Sequence, residues 1–278
     1  MAVSPSPWEM GWGEDVLKRI IMPEINILSY NLNGVRAAIK NGLLDWLSDK
    51  SYDVICLQEI KADDSVFDTT VFDKLGYMCY TFPAVKKGYS GVAILTKIKP
   101  DNVVKGCGIK AYDDEGRNIR IDIGDVSIMS AYFPSGTTGD ERQGVKMQYL
   151  DAFFDYIHRL QAERPKLLIC GDYNIAHTEI DIHNPAANKD TSGFKPEERA
   201  WMTKFFDSGF IDTFRHISPD PHQYSWWSYR ANSRANNKGW RIDYISATKN
   251  LKENIIGAAM YQDAVHSDHC PVYLKLKV

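Results

Sequence analysis

The sequence has 278 residues, of which 44% are hydrophobic and 25% charged, and its formal net charge is -3. This composition is ordinary for a globular protein, and no apolar run approaches the ~18 residues of a membrane span, so no membrane-spanning helix is expected. The slightly negative charge also excludes a protein that is basic throughout, so any nucleic acid must be bound by a local basic surface.

Residues 1–24 lack the basic start and the apolar core of a signal peptide, and we expect them to form a short N-terminal extension. No linker or repeat divides the rest of the chain, so residues 25–278 are predicted to form one domain. The five cysteines stand at irregular spacing, without a CxxC pair. They predict reduced thiols in an intracellular protein, cytoplasmic if the source is bacterial.

Short apolar runs rich in Ile, Val and Tyr alternate with polar segments, which predicts β-strands. The predicted strands are Ile25–Tyr30, Val54–Leu57, Gly91–Thr96, Ile119–Ile123, Val126–Tyr132, Leu167–Cys170, Ile242–Ser246 and Val272–Leu276. Gly124, with an aspartate on either side of the turn, indicates a hairpin between the fourth and the fifth strand.

Three helices are predicted among these strands. Gly42–Asp49 is the first, and Val145–Ala162 follows with apolar residues at i, i+3, i+4 and i+7. Pro196–Ser208 starts with proline in its first turn and two glutamates at the positive end of the helix dipole. Helices mixed with hairpin-like strand pairs predict an α/β fold of two sheets packed face to face, with helices outside.

Polar residues follow several strands abruptly, where ligand sites of α/β sheets tend to lie. Asn31 and Asn33 alternate after the first strand, as do Asp172 and Asn174 after the sixth, so each pair would point to one side if its strand continued. A turn before Gly34 is the alternative for the first pair. Asp172 beside an amide suits the activation or orientation of a water molecule.

Glu59 ends a buried strand and needs a partner, because burying an unpaired charge is costly. Lys61 is one candidate partner and Mg²⁺, which takes oxygen ligands, is the other. Asp268 and His269 precede the last strand, and Asp243 could orient the imidazole and keep it cationic beside a phosphate.

Tyr132, followed by Pro and Gly at a strand end, is less typical of the core. Carboxylates, amides, a tyrosine and an imidazolium at separate strand ends form the combination that phosphoryl transfer requires.

The motifs SYNLNGVR, CLQEIK, GYSGVAI, AYFPSG, GDYNIAH, GWRIDY and SDHCPV resemble those of the endonuclease/exonuclease/phosphatase superfamily, in the same order. The segments NPAANKDTSGFKPEER and YSWWSYR resemble its exonuclease III branch of abasic-site endonucleases. The resemblance covers nearly the whole chain from Ile25 onward. It implies a four-layer α/β sandwich, in which two mixed β-sheets are flanked by helices and the active site lies at one end.

The resemblance further implies a Mg²⁺-dependent DNA repair phosphodiesterase, with Mn²⁺ as an alternative ion. Its substrate would be double-stranded DNA, cut 5′ to an abasic site or trimmed at blocked 3′ ends by a 3′-5′ exonuclease or 3′-phosphodiesterase activity. Glu59 would be the principal metal ligand, with Asn33 and Asp268 beside the metal. We expect a monomer that does not bind membranes.

Catalytic roles carry over to residues at the strand ends. Asp172 would activate or orient the attacking water, Asn174 would place it, and His269, oriented by Asp243, would bind a non-bridging phosphate oxygen. The remaining implied residues are Tyr132 and Asn31 at the scissile phosphate; Arg36, Tyr89, Arg117, Asn184 and Asn188 along the DNA backbone or lining the site; and Trp226, Trp240 and Ile242 in a pocket for the flipped abasic sugar. A local basic surface is expected from Arg36, Lys86, Lys87, Arg117 and Arg230.

Two residues depart from common family patterns. Asn33 stands where some members have Asp, and Ser135 stands where many have Asn, which leaves the balance of endonuclease to exonuclease activity open. A phosphatase or phospholipase of the same superfamily, acting on inositol phosphates or sphingomyelin, is the alternative function. A catalytically inactive relative that binds DNA or protein is a third interpretation. The two DNA-branch segments favour the nuclease, because the core motifs are shared by all three classes.

Overall fold

The computed structural model describes residues 24–63 and 65–278. In this part of the chain, twelve strands form two six-stranded sheets. The strands are β1 (Glu24–Asn31), β2 (Val54–Gln58), β3 (Met78–Phe82), β4 (Val92–Thr96), β5 (Asn102–Lys105), β6 (Asn118–Ile123), β7 (Val126–Tyr132), β8 (Lys166–Asp172), β9 (Phe210–Asp212), β10 (Asp243–Thr248), β11 (Ile255–Met260) and β12 (Val272–Lys277). The predicted extension lies outside the described residues except for Glu24, the first residue of β1.

The described residues form eight α-helices, several of which pack against the outer faces of the two sheets. They are α1 (Val35–Lys40), α2 (Leu43–Ser48), α3 (Thr70–Asp73), α4 (Lys110–Asp113), α5 (Asp140–Glu163), α6 (Pro185–Asn188), α7 (Pro196–Asp207) and α8 (Thr213–Ile217), with 3₁₀ turns at Glu179–Asp181, Arg230–Asn232 and Lys249–Asn254. The three predicted helices are confirmed, and α5 begins earlier than expected because its first turn is polar. None of these helices is long and apolar enough to cross a membrane.

The order of strands is β11-β12-β1-β2-β4-β3 in the first sheet and β5-β6-β7-β8-β10-β9 in the second. Each sheet has one parallel pair, β1 with β2 and β7 with β8, and its other pairs are antiparallel. The four-layer sandwich with two mixed sheets is therefore confirmed. The hairpin at Gly124, which has φ of 57°, joins β6 and β7 as predicted.

The main core lies between the sheets, where apolar side chains of both inner faces pack together. It includes Ile27 and Val54 from the first sheet, and Ile128, Leu168 and Ile245 from the second, each 0% exposed. Burying such a side chain contributes about 1.5–3 kcal/mol. Two further apolar clusters fill the space between each sheet and its helices. The five cysteines are free, as expected.

Strand direction brings the polar strand ends to one edge of each sheet. Asn31 pairs in register with Gln58 at the ends of the parallel strands β1 and β2. In the second sheet Tyr132 pairs with Asp172, and Asp172 pairs with Asp243 at the start of the antiparallel strand β10. These ends carry most of the predicted catalytic residues.

Candidate active site

Strands β1 and β8 end in the same local structure. Beyond each strand end, at Asn31 and Asp172, the residue two positions later has a positive φ, 47° at Asn33 and 53° at Asn174. The N–H of Asn33 donates to Asn31 Oδ1 at 2.9 Å, and that of Asn174 donates to Asp172 Oδ1 at 2.7 Å. Neither strand continues through its pair, so the alignment expected for a continuing strand does not occur, and for the first pair the alternative, a turn before Gly34, is confirmed. Turns closed by a side chain bring them together instead.

Asp172 lies at the centre of a buried hydrogen-bonded group. It is 2% exposed, and its Oδ2 accepts from Asn31 Nδ2 at 2.9 Å and from Asn174 Nδ2 at 3.3 Å. Burial and the nearby Asp243 carboxylate raise the pKa of Asp172 to about 7, although His269 and the hydrogen bonds lower it. A carboxylate with a pKa near neutrality is suited to accept a proton from water.

His269 and Asp243 form a buried ion pair beside Asp172. The imidazole Nδ1 lies 2.8 Å from Asp243 Oδ2, and Nε2 lies 3.9 Å from Asp172 Oδ2. Ser225 Oγ donates to the same Asp243 oxygen at 2.6 Å and fixes the carboxylate. Burial lowers the pKa of His269, but the carboxylates outweigh it, Asp243 most of all, and raise the pKa to about 10. The ring is therefore cationic near neutral pH, and its Nε2–H suits a phosphate oxygen.

Oxygen ligands line a second corner of the site. Lys61 Nζ lies 2.9 Å from Glu59 Oε1 and donates to Asn33 Oδ1, while Asn33 Nδ2 donates to Asp268 Oδ1 at 3.0 Å. Of the two expected partners of Glu59, Lys61 is thus present. The carboxylates of Glu59 and Asp268 and the amide oxygen of Asn33 are ligand types that Mg²⁺ prefers. The Lys61 ammonium already lies among these oxygens, so the corner accommodates a positive charge. The donor set at this corner therefore fits a hard divalent cation.

The same corner has a strained backbone. Asn33, Glu59, Lys61 and Ser90 all have φ between 47° and 52°, a region that residues other than glycine rarely adopt. The N–H of Lys61 donates to the Ser90 carbonyl at 2.9 Å, which joins the two loops. Such conformations cost about 1–3 kcal/mol each and persist where the surroundings enforce them, commonly at functional sites.

Asp172, Asp243 and His269 form another group whose potential ligand atoms lie within 4.8 Å of one another. The imidazole, however, is protonated near neutral pH and is hydrogen-bonded to Asp243 through Nδ1. Metal binding would require it to lose a proton first. The corner around Glu59 is therefore the better site for a metal.

Tyr132 ends β7, and Arg117 holds it in place. Burial and the Glu59 carboxylate raise the pKa of Tyr132, while Arg117 lowers it, so the hydroxyl stays protonated. The Arg117 guanidinium lies 4.8 Å from the centroid of the Tyr132 ring and donates to the Tyr132 carbonyl group at 3.1 Å. It also donates to the Tyr89 hydroxyl at 2.9 Å and forms an ion pair with Glu115. Arg117 is 1% exposed. The prediction that it belongs to an exposed basic surface is therefore wrong, and it supports the two tyrosines instead.

The other members of the predicted basic surface are exposed, namely Arg36, Lys86, Lys87 and Arg230. Arg36 lines a groove of about 410 Å³ together with Lys40, Lys61 and the backbone of Gly34 and Gly88. This groove therefore borders the corner that contains Glu59 and carries three cations.

Two predicted DNA-contacting residues mark the ends of the short helix α6, with Asn184 as its N-cap and Asn188 as its last residue. Asn184 is exposed, has φ of 55°, and accepts a 3.4 Å hydrogen bond from the N–H of Ala187. Asn188 Nδ2 donates to the carbonyl groups of His183 and Asn184 at 3.2 and 2.9 Å. These bonds give both residues a structural role in their own segment. Ser135 likewise bonds locally, to Thr137 Oγ1 at 3.0 Å.

Trp226, Trp240 and Ile242 are brought together as a small apolar cluster. The two indoles meet edge to face, with ring centroids 6.1 Å apart. Trp226 Nε1 donates to Asp268 Oδ2 at 3.1 Å, and its ring centroid lies 6.5 Å from that of His269. The apolar cluster is therefore adjacent to both the imidazole and the oxygen-rich corner.

Several residues of the site were missed by sequence reasoning. The apolar cluster also contains Ala176, Ile182 and Phe194, and Ser225 fixes Asp243. Nothing in the spacing of these four residues indicates their position, because distant loops bring them together. Lys146 bonds to the carbonyl group of Asn174, and its signal is visible: it stands one helical turn before Leu150, on the apolar side of a predicted helix.

Comparisons with known proteins agree with this geometry. A model of the Endonuclease/Exonuclease/phosphatase family matches residues 28–269. An exodeoxyribonuclease of Bacillus subtilis (strain 168) is 43% identical over 91% of this chain and 100% of its own length. The DNA repair nuclease APEX1 of Danio rerio is 37% identical over 91% of this chain and 83% of its own length.

A solved structure shares the same architecture. The AP endonuclease from Archaeoglobus fulgidus superposes with a TM-score of 0.84 at 29% sequence identity. The match covers 91% of this chain and 100% of that protein. The overall fold is therefore shared with that protein.

Proposed function

The chain is a nuclease that belongs to the endonuclease/exonuclease/phosphatase family, and we propose that its substrate is DNA with an abasic site. It hydrolyses the phosphodiester 5′ to that site, and the same residues serve 3′-5′ exonuclease and 3′-phosphodiesterase activity on blocked 3′ ends. The observation that carries this proposal is the Trp226–Trp240 cluster beside His269.

The apolar cluster suits a sugar that has lost its base. An abasic nucleotide has no base to unstack or unpair, so its extrusion costs less than that of an intact nucleotide. Trp226 offers an apolar ring to the sugar while its N–H is engaged by Asp268. Inositol phosphates would gain little from such a wall, which is why we prefer the nuclease to the phosphatase.

Asp172 and His269 divide the proton chemistry between them. The Asp172 carboxylate accepts a proton from the attacking water, and Asn174 holds that carboxylate through its backbone and side-chain N–H groups. His269 donates from Nε2 to a non-bridging phosphate oxygen while its Nδ1–H is held by Asp243. The hydrogen bond from His269 stabilises the charge that develops on the phosphate in the transition state.

Tyr132 and Asn31 complete the proposed phosphate site. The Tyr132 hydroxyl stays protonated and serves as a donor, and Asn31 links the first sheet to Asp172. Arg117 and Tyr89 keep the Tyr132 ring in place. Asn184 and Asn188 remain proposed contacts to the DNA backbone.

The proposed metal is Mg²⁺, for which Mn²⁺ can substitute. Glu59 would hold it, with Asn33 and Asp268 beside it, because these three residues offer oxygen donors. When bound there, the ion supplies neutralisation of charge on the leaving oxygen.

The remaining expectations are also proposals. We propose that residues 25–278 are the catalytic domain and residues 1–24 an extension. We further propose a monomer located inside the cell, in the cytoplasm if it is bacterial. Duplex DNA with abasic sites or blocked 3′ ends is the proposed partner.

A cleavage assay tests the proposed function. The chain is incubated with an abasic duplex, an undamaged duplex, a duplex with a 3′-phosphate and an inositol phosphate, each with Mg²⁺ or EDTA. We expect rapid incision of the abasic duplex with Mg²⁺ and none with EDTA. Release of phosphate from the inositol compound without incision of DNA would reject the proposal in favour of the phosphatase.

A further inference from the structure

A buried ion pair joins two helices behind the candidate site. Lys146 on α5 and Glu198 on α7 are both 0% exposed, and their Nζ and Oε1 atoms lie 2.5 Å apart. Burial lowers the pKa of Lys146, while the Glu198 carboxylate opposes this shift. Burying two charges costs free energy that their attraction often fails to recover, so stability alone is a weak reason for such a pair.

Lys146 contacts the backbone of the candidate site directly. Its ammonium donates to the Asn174 carbonyl at 2.8 Å. Asn174 has a strained φ of 53°, and its N–H donates to Asp172 Oδ1 at 2.7 Å. The Lys146 ammonium therefore holds the carbonyl group of Asn174, while the N–H group of the same residue holds Asp172, the proposed water-activating carboxylate.

Glu198 extends this contact to the apolar cluster. Its Oε2 accepts from the N–H groups of Gly193 and Lys195 at 2.7 and 3.0 Å. Gly193 lies so close to both Asn174 and Trp240 that an added Cβ would stand 3.0 Å from an atom of each. The carboxylate therefore fixes a backbone segment that packs between the proposed catalytic turn and the wall of the sugar pocket.

We propose that Lys146 and Glu198 are a positioning pair, which fixes Asn174 and Gly193 so that Asp172 and Trp240 keep their relative places. Neither side chain touches the substrate. The pair acts by holding one carbonyl and two N–H groups in a strained turn. This inference rests on the proposed function, because it concerns how the same site is assembled.

The decisive variant removes both charges and preserves the volume. In Lys146→Met/Glu198→Gln the buried site becomes neutral, so we expect the protein to fold, and the bond to the Asn174 carbonyl is lost. Misplacement of a catalytic group by about 1 Å, or loss of a supporting partner, reduces rates roughly 10- to 100-fold. We therefore expect the single-turnover rate on an abasic duplex to fall 10- to 100-fold, with DNA affinity changed less than about threefold.

Two comparison variants isolate the contact. Glu198→Gln alone leaves Lys146 in place as a donor to the Asn174 carbonyl, and we expect it to lose less activity than the double variant. Asp122→Asn, at the opposite end of the second sheet, removes a carboxylate that is 6% exposed and paired with Arg120. We expect it to retain the wild-type rate once it is fully folded.

Amide hydrogen exchange supplies a readout that does not depend on cleavage. The Asn174 amide, which is bonded to Asp172, should exchange faster in the double variant than in Asp122→Asn. A folded double variant with the wild-type rate and wild-type Asn174 exchange would overturn the positioning role. Failure of the wild-type chain to cut an abasic duplex would instead overturn the proposed function, so the two failures are distinguishable.

Discussion

His269 Nε2 lies 3.9 Å from Asp172 Oδ2. In the proposed reaction the Asp172 carboxyl must be deprotonated, whereas the His269 imidazole must be protonated. The raised pKa of Asp172, about 7, means that the rate should rise as pH increases through 7 and the carboxylate loses its proton. The raised pKa of His269, about 10, means that the rate should fall when the imidazolium deprotonates near pH 10. Single-turnover rates from pH 5 to 11 should therefore give a bell-shaped profile.

Asp243 controls the upper side of that profile. Asp243→Asn removes a charge that raises the pKa of both His269 and Asp172, so both limbs of the profile should move to a lower pH. An upper limb that stays near pH 10 in this variant would show that another group is responsible for it.

Mutational coupling tests whether Asp243 and His269 act as a unit. His269→Ala removes a donor to the developing charge, which costs on the order of 10²–10³ in rate. Asp243→Ala should cost a comparable factor, because it releases the ring that it orients through a 2.8 Å contact. The double variant should lose much less than the product of the two factors. Single-turnover rates of all four proteins measure this coupling, and strictly multiplicative losses would contradict the dyad.

Glu59 has a separate role that its own variant can test. Glu59→Gln keeps the shape of the side chain, so the protein should fold, but the proposed metal ligand loses its charge. We expect loss of Mg²⁺-dependent cleavage and a weaker increase in thermal stability on addition of Mg²⁺. Glu163→Gln, at the exposed end of α5, is the control and should behave as wild type. Near-normal turnover of Glu59→Gln at low Mg²⁺ would contradict the ligand role.

At the scale of elements, the close approach of β7 and β8 positions Asp172. Gly171 precedes Asp172, and a Cβ added there would lie 1.8 Å from the Ala131 carbonyl oxygen. Gly171→Ala should therefore push the strands apart and lower the free energy of unfolding by about 1–3 kcal/mol, as overpacking does. Gly144→Ala, in α5 with open space around it, should instead be neutral or stabilising by up to ~1 kcal/mol. Denaturant unfolding measures both, and equal stability of the two variants would show that the strands can separate freely.

The position of a strand in its sheet explains whether it could be predicted from the sequence. The eight predicted strands lie inside the two sheets, where burial produces either continuous apolar runs, as in β4, or a clear alternation, as in β12. The four strands that were missed, β3, β5, β9 and β11, are the four edges of the two sheets. Most of their residues are partly buried or exposed, so these strands show no apolar run or clear alternation.

At the scale of the whole molecule, the candidate site exists only because the two sheets end at the same place. In the first sheet Asn31 ends β1 and Glu59 follows β2, while Tyr132, Asp172 and Asp243 belong to the second sheet. The strand-end pattern in the sequence identifies these residues one by one. Their mutual distances depend on how the sheets pack, which is set by core contacts across the sandwich and by no local signal.

Packing also decides which cations can reach DNA. Arg117 carries the same charge as the other residues of the predicted basic surface. Unlike them, it is buried against Tyr132 and paired with Glu115. A pattern of residue types cannot separate such a supporting arginine from an exposed one. Long-range burial makes the difference, so the basic surface is smaller than the sequence predicts.

The number of exposed cations on this surface predicts how strongly DNA binding depends on salt concentration. Each phosphate that is neutralised lowers the slope of log K against log salt concentration by about 0.9, because counterions are released. Arg36, Lys86, Lys87 and Arg230 are exposed, so we expect a total slope no steeper than about -4 for a catalytically inactive variant on an abasic duplex. Fluorescence anisotropy at several salt concentrations measures this slope.

Single replacements assign the slope to particular cations. Lys86→Ala should make the slope shallower by about 0.9 and weaken binding to abasic and undamaged duplexes alike, because a phosphate contact carries no sequence information. Lys99→Ala removes an exposed lysine just after β4, a strand whose far end lies beside Gln58. It should leave the slope unchanged, since it stands at the end of the sheet opposite the site. A wild-type slope near zero would contradict a DNA substrate and favour a small phosphorylated one, whose few charges release few counterions.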